Sequence, residues 1–415
     1  MANPVVPGTH LGKVRYEIRG ALARRARELE AGGRRIVHLN IGNPGRFGLH
    51  APDAIRAAVA DGLARSDAYC QEQGLAEARA AVVAQQVARD ARVPDIDHVF
   101  IGNGVSELID LSLRALLDAG DEVLIPSPDY PLWSAATILN GGRPRYYPCP
   151  AADGHVPDPA VIEAMITPRT RALVLINPNN PTGAVYSRAL LQKLVAIAER
   201  HGLLLLADEI YDRIVYDDAR FEPLAPLAGD VPCLSFGGLS KVHRACGYRV
   251  GWMSLSGDAG AVRSYRDALQ LLAALRLCAN VPGQWAVKPA LESDASIEAL
   301  VAPGGRLQRA RQAVLDGAAA SDYLQLVKPM GALYAFPSVR ADVLPEFDDE
   351  AFALHLLERE SVLLAPGSSF NHMDRRHLRL TLLPEPEQLA DVMQRIERAL
   401  RGMVAAARRP VASVA

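Results

Sequence analysis

Short apolar runs recur along the first two thirds of the chain. Between them, apolar residues fall at every third or fourth position. Val99–Ile101, Glu122–Ile125, Ala172–Ile176, Leu203–Ala207 and Leu234–Phe236 are strand-sized. Leu203–Ala207 contains no polar residue at all, as expected of a strand covered on both faces. Val37–Ile41, Arg145–Cys149 and Arg249–Ser254 are further strand candidates. The intervening periodicity predicts helices over Arg19–Glu30, Ala51–Ala64, Gly74–Ala91, Ser106–Leu117 and Ser187–Arg200, and helix-rich sequence over Asp258–Leu277. Ser187 suits an N-cap and Pro52 a first turn. Strands end on strong loop signals: Gly42-Asn43-Pro44-Gly45, Pro126-Ser127-Pro128 and Asn177-Pro178-Asn179-Asn180-Pro181.

This alternation predicts an α/β fold, a doubly wound and mostly parallel sheet with functional residues at the carboxyl ends of its strands. The pattern changes near Pro303-Gly304-Gly305. Beyond it, strands are predicted over Leu324–Lys328, Gly331–Phe336, Val362–Ala365 and Leu378–Leu382, and helices over Asp349–Glu360 and Pro386–Arg401. That mixture predicts a second, smaller α+β domain. The tail from Met403 is rich in small residues and arginine, and is expected to fray.

Composition narrows the class without changing this picture. The 415 residues are 49% hydrophobic and 22% charged, which fits a folded globular protein. Lys and Arg number 45 against 47 Asp and Glu, so no long-range field draws the chain to nucleic acid or an anionic membrane. Cys70, Cys149, Cys233, Cys246 and Cys278 are odd in number and form no C-x-x-C pair. Reduced thiols are expected, not a disulfide framework or a metal ribbon. His201, His243 and His372 have no second ligand at metal spacing, so no metal is expected. The first twenty residues hold no leader-type apolar run, and no run approaches the ~20 residues of a membrane span. A cytoplasmic protein is expected.

Four motifs carry candidate chemistry: Gly102-Asn103-Gly104-Val105-Ser106-Glu107, Asn177 to Gly183, Asp208-Glu209-Ile210-Tyr211, and Gly238-Leu239-Ser240-Lys241 with Arg249 shortly after. Taken singly, each has an ordinary explanation. A lysine is usually solvated, a carboxylate at a strand end is as often a helix cap, and Asn-Pro-Thr-Gly is a turn. A Gly-rich helix start offers N–H groups to a phosphate, but no Walker lysine follows. Together they describe one cofactor, a phosphorylated pyridine aldehyde. Its aldehyde needs an amine, its ring nitrogen an anion, and its phosphate N–H donors and a cation.

At these residues the chain resembles the fold-type-I, pyridoxal-phosphate-dependent aminotransferases of class I/II, and within them the bacterial glutamate–pyruvate (alanine) aminotransferases. The stretches LNIGNP, IGNGVSELI, PSPDYPLW, INPNNPTGAVYS, ADEIYD, GLSK, RLCANVP, APGGRL and GALYAFP carry the resemblance, from about Tyr16 to Leu383. It implies pyridoxal 5'-phosphate as cofactor, with Lys241 forming its Schiff base and shuttling the proton. Asp208 would pair with the ring nitrogen, and Tyr211 and Asn180 with the ring oxygen. Tyr130 would stack on the ring. Gly104, Val105 and Ser106 would hold the phosphate with Arg249, and Ser240 would add a contact, since the position three before Lys241 is Gly238 rather than the serine of many relatives.

On the substrate side, Arg379 would clamp the α-carboxylate, with Asn180, Gly42, Tyr130 and Arg19 nearby. Tyr69 would reach the phosphate of a neighbouring subunit, which implies a homodimer. The resemblance also implies that residues 1–48 join residues 301–403 in the small domain, that 49–300 form the cofactor domain, and that 404–415 are a frayed tail. Alanine with 2-oxoglutarate is the expected substrate pair. The rivals are an aminotransferase for branched-chain, aromatic or methionine-type amino acids, a β-lyase on the same fold, and a non-catalytic cofactor-binding regulator. The short stretch ahead of the resemblance and the lack of a basic recognition stripe argue against the regulator.

Overall fold

A computed structural model describes residues 5–15 and 20–407. Its centre is a seven-stranded sheet: β1 Val99–Gly102, β2 Glu122–Ser127, β3 Arg143–Pro148, β4 Thr170–Ile176, β5 Leu204–Asp208, β6 Cys233–Gly238 and β7 Gly251–Ser256. The spatial order is β1-β7-β6-β5-β4-β2-β3. Strands β2 to β6 pair in parallel, and β7 runs antiparallel to both β6 and β1. The mostly parallel sheet expected from the alternation is therefore present.

The apolar runs divide their side chains between two cores. Leu173, Leu175, Leu205 and Ala207 pack with Leu191 and Leu194 of helix Arg188–His201. Val174, Ile176, Leu204 and Leu206 pack on the other face with Ile109 and Trp133. Successive strand residues point to opposite faces, so a strand covered on both must be apolar throughout. Ser187 caps helix Arg188–His201, its hydroxyl accepting from the Leu190 N–H at 3.3 Å.

Several predicted boundaries shift. The N-terminal strand covers only Val37–His38, and the helix expected over Gly74–Ala91 covers Ala76–Ala88. Gly74 has φ +110°, which a helix cannot accommodate. Helix Leu132–Leu139 follows Pro131 directly, in a stretch for which the sequence predicts no element.

Val37–His38 pairs in parallel with Val362–Leu363, which ties the N-terminal segment to the last third of the chain. There a third core joins Leu39 to Leu356, Val362, Leu380 and Ile396. Its strand β8, Leu378–Thr381, lies between Tyr334–Ala335 and Ala365–Pro366. The last helix runs over Pro386–Ala407, past the expected onset of fraying at Met403, because Val404 is buried in this core. No helix among the described residues is long and apolar enough to cross a membrane.

Candidate active site

The carboxyl ends of β4, β5 and β6 open into a cavity of about 650 Å³. Gly42, Val105, Ser106, Tyr130, Asn180, Asp208, Tyr211, Ser240, Lys241, Arg249 and Arg379 all line it. The fold thus gathers most of the predicted residues at one place, from positions as far apart as 42 and 379.

Each is set by local structure. Asp208 ends β5 and is 3% exposed. Its Oδ2 accepts from Trp133 Nε1 at 3.1 Å. Burial pushes its carboxyl up to about 6, against the pull of the Trp133 bond and of Lys241. Lys241 lies in the loop after β6 and donates from Nζ to the Gly42 carbonyl at 2.7 Å. In the turn after β4, Thr182 N–H and hydroxyl donate to Asn179 Oδ1, and Tyr186 N–H to Asn177 Oδ1. Those two side chains fix the turn and leave Asn180 facing the cavity.

Gly104 caps helix Val105–Leu116 with φ +86°, and a Cβ there would run into the Arg249 guanidinium. The glycine therefore lets a cation lie against the positive end of a helix, whose first N–H groups favour an anion. Glu107 holds this start in place, accepting from the Asn103 N–H at 2.7 Å and from Arg276 Nη1 at 2.7 Å. Arg249 itself donates to the carbonyls of Cys246 and Asn103.

Arg379, on β8, is 2% exposed. Its guanidinium lies over the rings of Tyr334 at 4.3 Å and Phe370 at 4.5 Å. It donates to Asn180 Oδ1 at 3.0 Å and to the Asn40 carbonyl. Its Nε is buried with no hydrogen-bond partner among the described residues. Tyr211 donates to the Tyr334 hydroxyl at 3.2 Å. Burial drives Tyr211 far above the usual phenol range. Burial also pushes Tyr334 up, but the Lys241 and Arg379 charges outweigh it and leave that phenol below its usual value.

Other predicted residues stand apart. Tyr69 is 78% exposed and does not line the cavity of its own chain. Arg19 lies outside the described residues. At Gly238 a Cβ would meet the Val250 carbonyl at 3.0 Å, so a serine there would be crowded, while Ser240 does line the cavity. His372 lies beside Asp374 and His377, and one donor atom from each falls within 4.8 Å of the others.

Sequence reasoning missed Trp133, Tyr334 and Phe370. Trp133 was visible inside PSPDYPLW, where an aromatic follows a proline cluster. Tyr334 and Phe370 carry no local signal, since their partner Arg379 is distant in the chain.

The family model "Aminotransferase class I and II" matches residues 34–396. An alanine aminotransferase of Mycobacterium tuberculosis is 49% identical over 391 residues, covering 93% of this chain and 90% of that protein. A glutamate–pyruvate aminotransferase of Escherichia coli is 44% identical over 400 residues, covering 96% and 99%. Among solved structures, an alanine aminotransferase from Pyrococcus furiosus superposes with a TM-score of 0.90 at 32% identity, covering 96% of this chain and all of that one.

Proposed function

The chain belongs to the class I and II aminotransferases, and from that premise we propose that it moves the amino group between L-alanine and 2-oxoglutarate, giving pyruvate and L-glutamate. Its cofactor is pyridoxal 5'-phosphate. The observation that carries the reading is the meeting of Lys241, Asp208 and Arg379 in one cavity. The relatives named for alanine and for glutamate and pyruvate support the choice of substrates.

The residues present fit the cofactor. One wall offers an amine, a second a buried carboxylate, and a third a glycine-cleared helix start beside an arginine. When bound, the cofactor supplies an aldehyde for the Lys241 amine and a ring that takes up electrons from the substrate's α-carbon. Val105 and Ser106 N–H groups, with Arg249 and Ser240, would hold the phosphate. Asp208 would hold a proton on the ring nitrogen, since its charge favours the protonated form. Trp133 orients that carboxylate. Tyr211 and Asn180 would bond the ring oxygen, and Tyr130 offers an aromatic face to the ring. Arg379 would bind the substrate α-carboxylate through its planar fork, the rings of Tyr334 and Phe370 fixing the guanidinium plane. Lys241 would remove the α-proton and return it.

Three further assignments belong to this proposal. The active unit is a homodimer, to whose second site the exposed Tyr69 contributes. The protein is cytoplasmic. Residues 1–48 share a small domain with residues 301–403, a division supported by the pairing of Val37–His38 with Val362–Leu363.

The test is a scan of amino donors against pyruvate and 2-oxoglutarate with the purified, cofactor-loaded protein. Alanine with 2-oxoglutarate should be the fastest pair. Little alanine activity beside strong leucine or phenylalanine activity would overturn the assignment, and failure to convert the cofactor to its amine form with any donor would favour a non-catalytic regulator.

A further inference from the structure

The segment from Gly367 to His377 holds, besides Phe370, which stacks on Arg379, polar side chains that the cleft does not use. His377, at its end, precedes β8, which carries Arg379. Between them lie the half-buried His372 and the exposed Asp374. One donor atom from each of His372, Asp374 and His377 can be chosen so that all lie within 4.8 Å of one another.

The buried member of the group needs a partner. His377 is 4% exposed, and its Nδ1 makes no hydrogen bond of normal geometry among the described residues. The nearest carboxylate oxygen, Asp374 Oδ2, stands at 3.7 Å. A buried polar atom left unpaired is destabilising. The ring cannot turn away freely, because Phe336 lies flat against it at 4.7 Å and His372 meets it edge-on at 4.5 Å. His155 is a neighbour and not a member, since its Nδ1 is engaged with the Cys149 carbonyl at 3.2 Å.

We propose that His372, Asp374 and His377 bind one divalent transition-metal ion of the zinc type. Two imidazoles and one carboxylate are the donors such an ion prefers, whereas magnesium and calcium take oxygen ligands. The three residues fill three corners of a tetrahedron, and the exposed side of Asp374 leaves the fourth to water. Bonds of about 2 Å place tetrahedral donors about 3.3 Å apart. Ligation therefore draws the exposed turn at Met373 and Asp374 inward, toward a His377 ring already fixed by Phe336. A bound ion would tie down the stretch that runs between Phe370 and the strand carrying Arg379.

The proposal goes beyond the aminotransferase assignment, and its test does not depend on activity. The cofactor-loaded protein is dialysed against Zn²⁺ and its metal content measured, with Co²⁺ substituted to read the coordination geometry from its visible spectrum. The wild type should hold about one equivalent per chain with a tetrahedral Co²⁺ spectrum, and Zn²⁺ should raise its Tm. His372→Gln and Asp374→Asn, both in the accessible turn, should each weaken binding about tenfold or more and abolish the Tm shift. Undiminished binding in both variants would overturn the site, as would a folded wild type that retains no metal. So would loss of the ion in Cys70→Ser or Cys278→Ser, which would place it on thiols.

Discussion

Arg379 and Arg311 are two arginines buried to the same depth and used for opposite ends. They are 2% and 1% exposed, and each lies over a tyrosine ring, Tyr334 at 4.3 Å and Tyr216 at 4.8 Å. Arg311 meets Asp217 with both Nη atoms, at 3.2 and 2.6 Å, and gives Nε to the Pro329 carbonyl. Its charge and its geometry are both satisfied. Arg379 meets only the Asn180 amide oxygen and the Asn40 carbonyl, and its Nε is unpartnered among the described residues. A guanidinium buried against neutral oxygens keeps its full charge for an incoming anion, which is what an α-carboxylate clamp requires. The same contrast separates Asp208, where burial pushes the carboxyl up to about 6, from Asp217, which Arg311 and Lys328 hold well below the usual carboxylate range. Arg379 and Asp208 in the cleft are left for small molecules to complete, whereas Arg311 and Asp217 outside it complete each other.

The contrast can be broken most severely at Lys241. Lys241→Ala removes both the anchoring amine and the proton carrier, and turnover should fall by about 10⁴-fold or more. The pH-sensitive visible absorbance of the loaded enzyme should vanish with it. Retained turnover would refute the assignment. Asp208→Asn keeps the shape and the Trp133 neighbour but removes the charge. A fall in kcat of about 10³-fold is expected, with the variant still folded by circular dichroism. An unchanged kcat would mean that the ring nitrogen needs no anion here. Arg379→Ala should raise KM for every amino acid about 30-fold or more. Arg379→Lys should recover only part of that loss, because an ammonium lacks the planar fork. An unchanged KM would place the clamp elsewhere.

How much of this was legible beforehand differs residue by residue. Asp208 closes an apolar run, and Lys241 and Asn180 sit in loop motifs just after one, so position and chemistry coincide in the sequence. The mostly parallel sheet was legible for the same reason: two-faced burial leaves its mark in Leu203–Ala207. Trp133, Tyr334 and Phe370 act through partners that are remote in the chain, and no local pattern marks that. The helix Leu132–Leu139 was hidden by the prolines around Asp129 and Tyr130, since proline is equally suited to a turn and to the start of a helix. Asp129 shows that burial alone is no guide. Its carboxyl is pushed up to about 7, yet Asn371 donates to both of its oxygens and it does not line the cleft.

The gentlest test lies on the other side of the comparison, at Asp217. Asp217→Asn takes the anion from Arg311 and Lys328 but touches no residue of the cleft. Activity at pH 7 should stay within about twofold of the wild type, and stability should fall by about 2 kcal/mol because Arg311 remains buried beside a neutral amide. The pH dependence gives the charge its signature. The folded carboxyl titrates lower than the unfolded one, whose value is near 3.9. Its contribution is therefore fully present above about pH 4 and is lost as pH falls through the folded value. The difference in Tm between wild type and variant should be constant near neutrality and shrink on acidification. A difference that stayed the same down to pH 3 would show that Asp217 holds Arg311 by shape and hydrogen bonding, and not by charge.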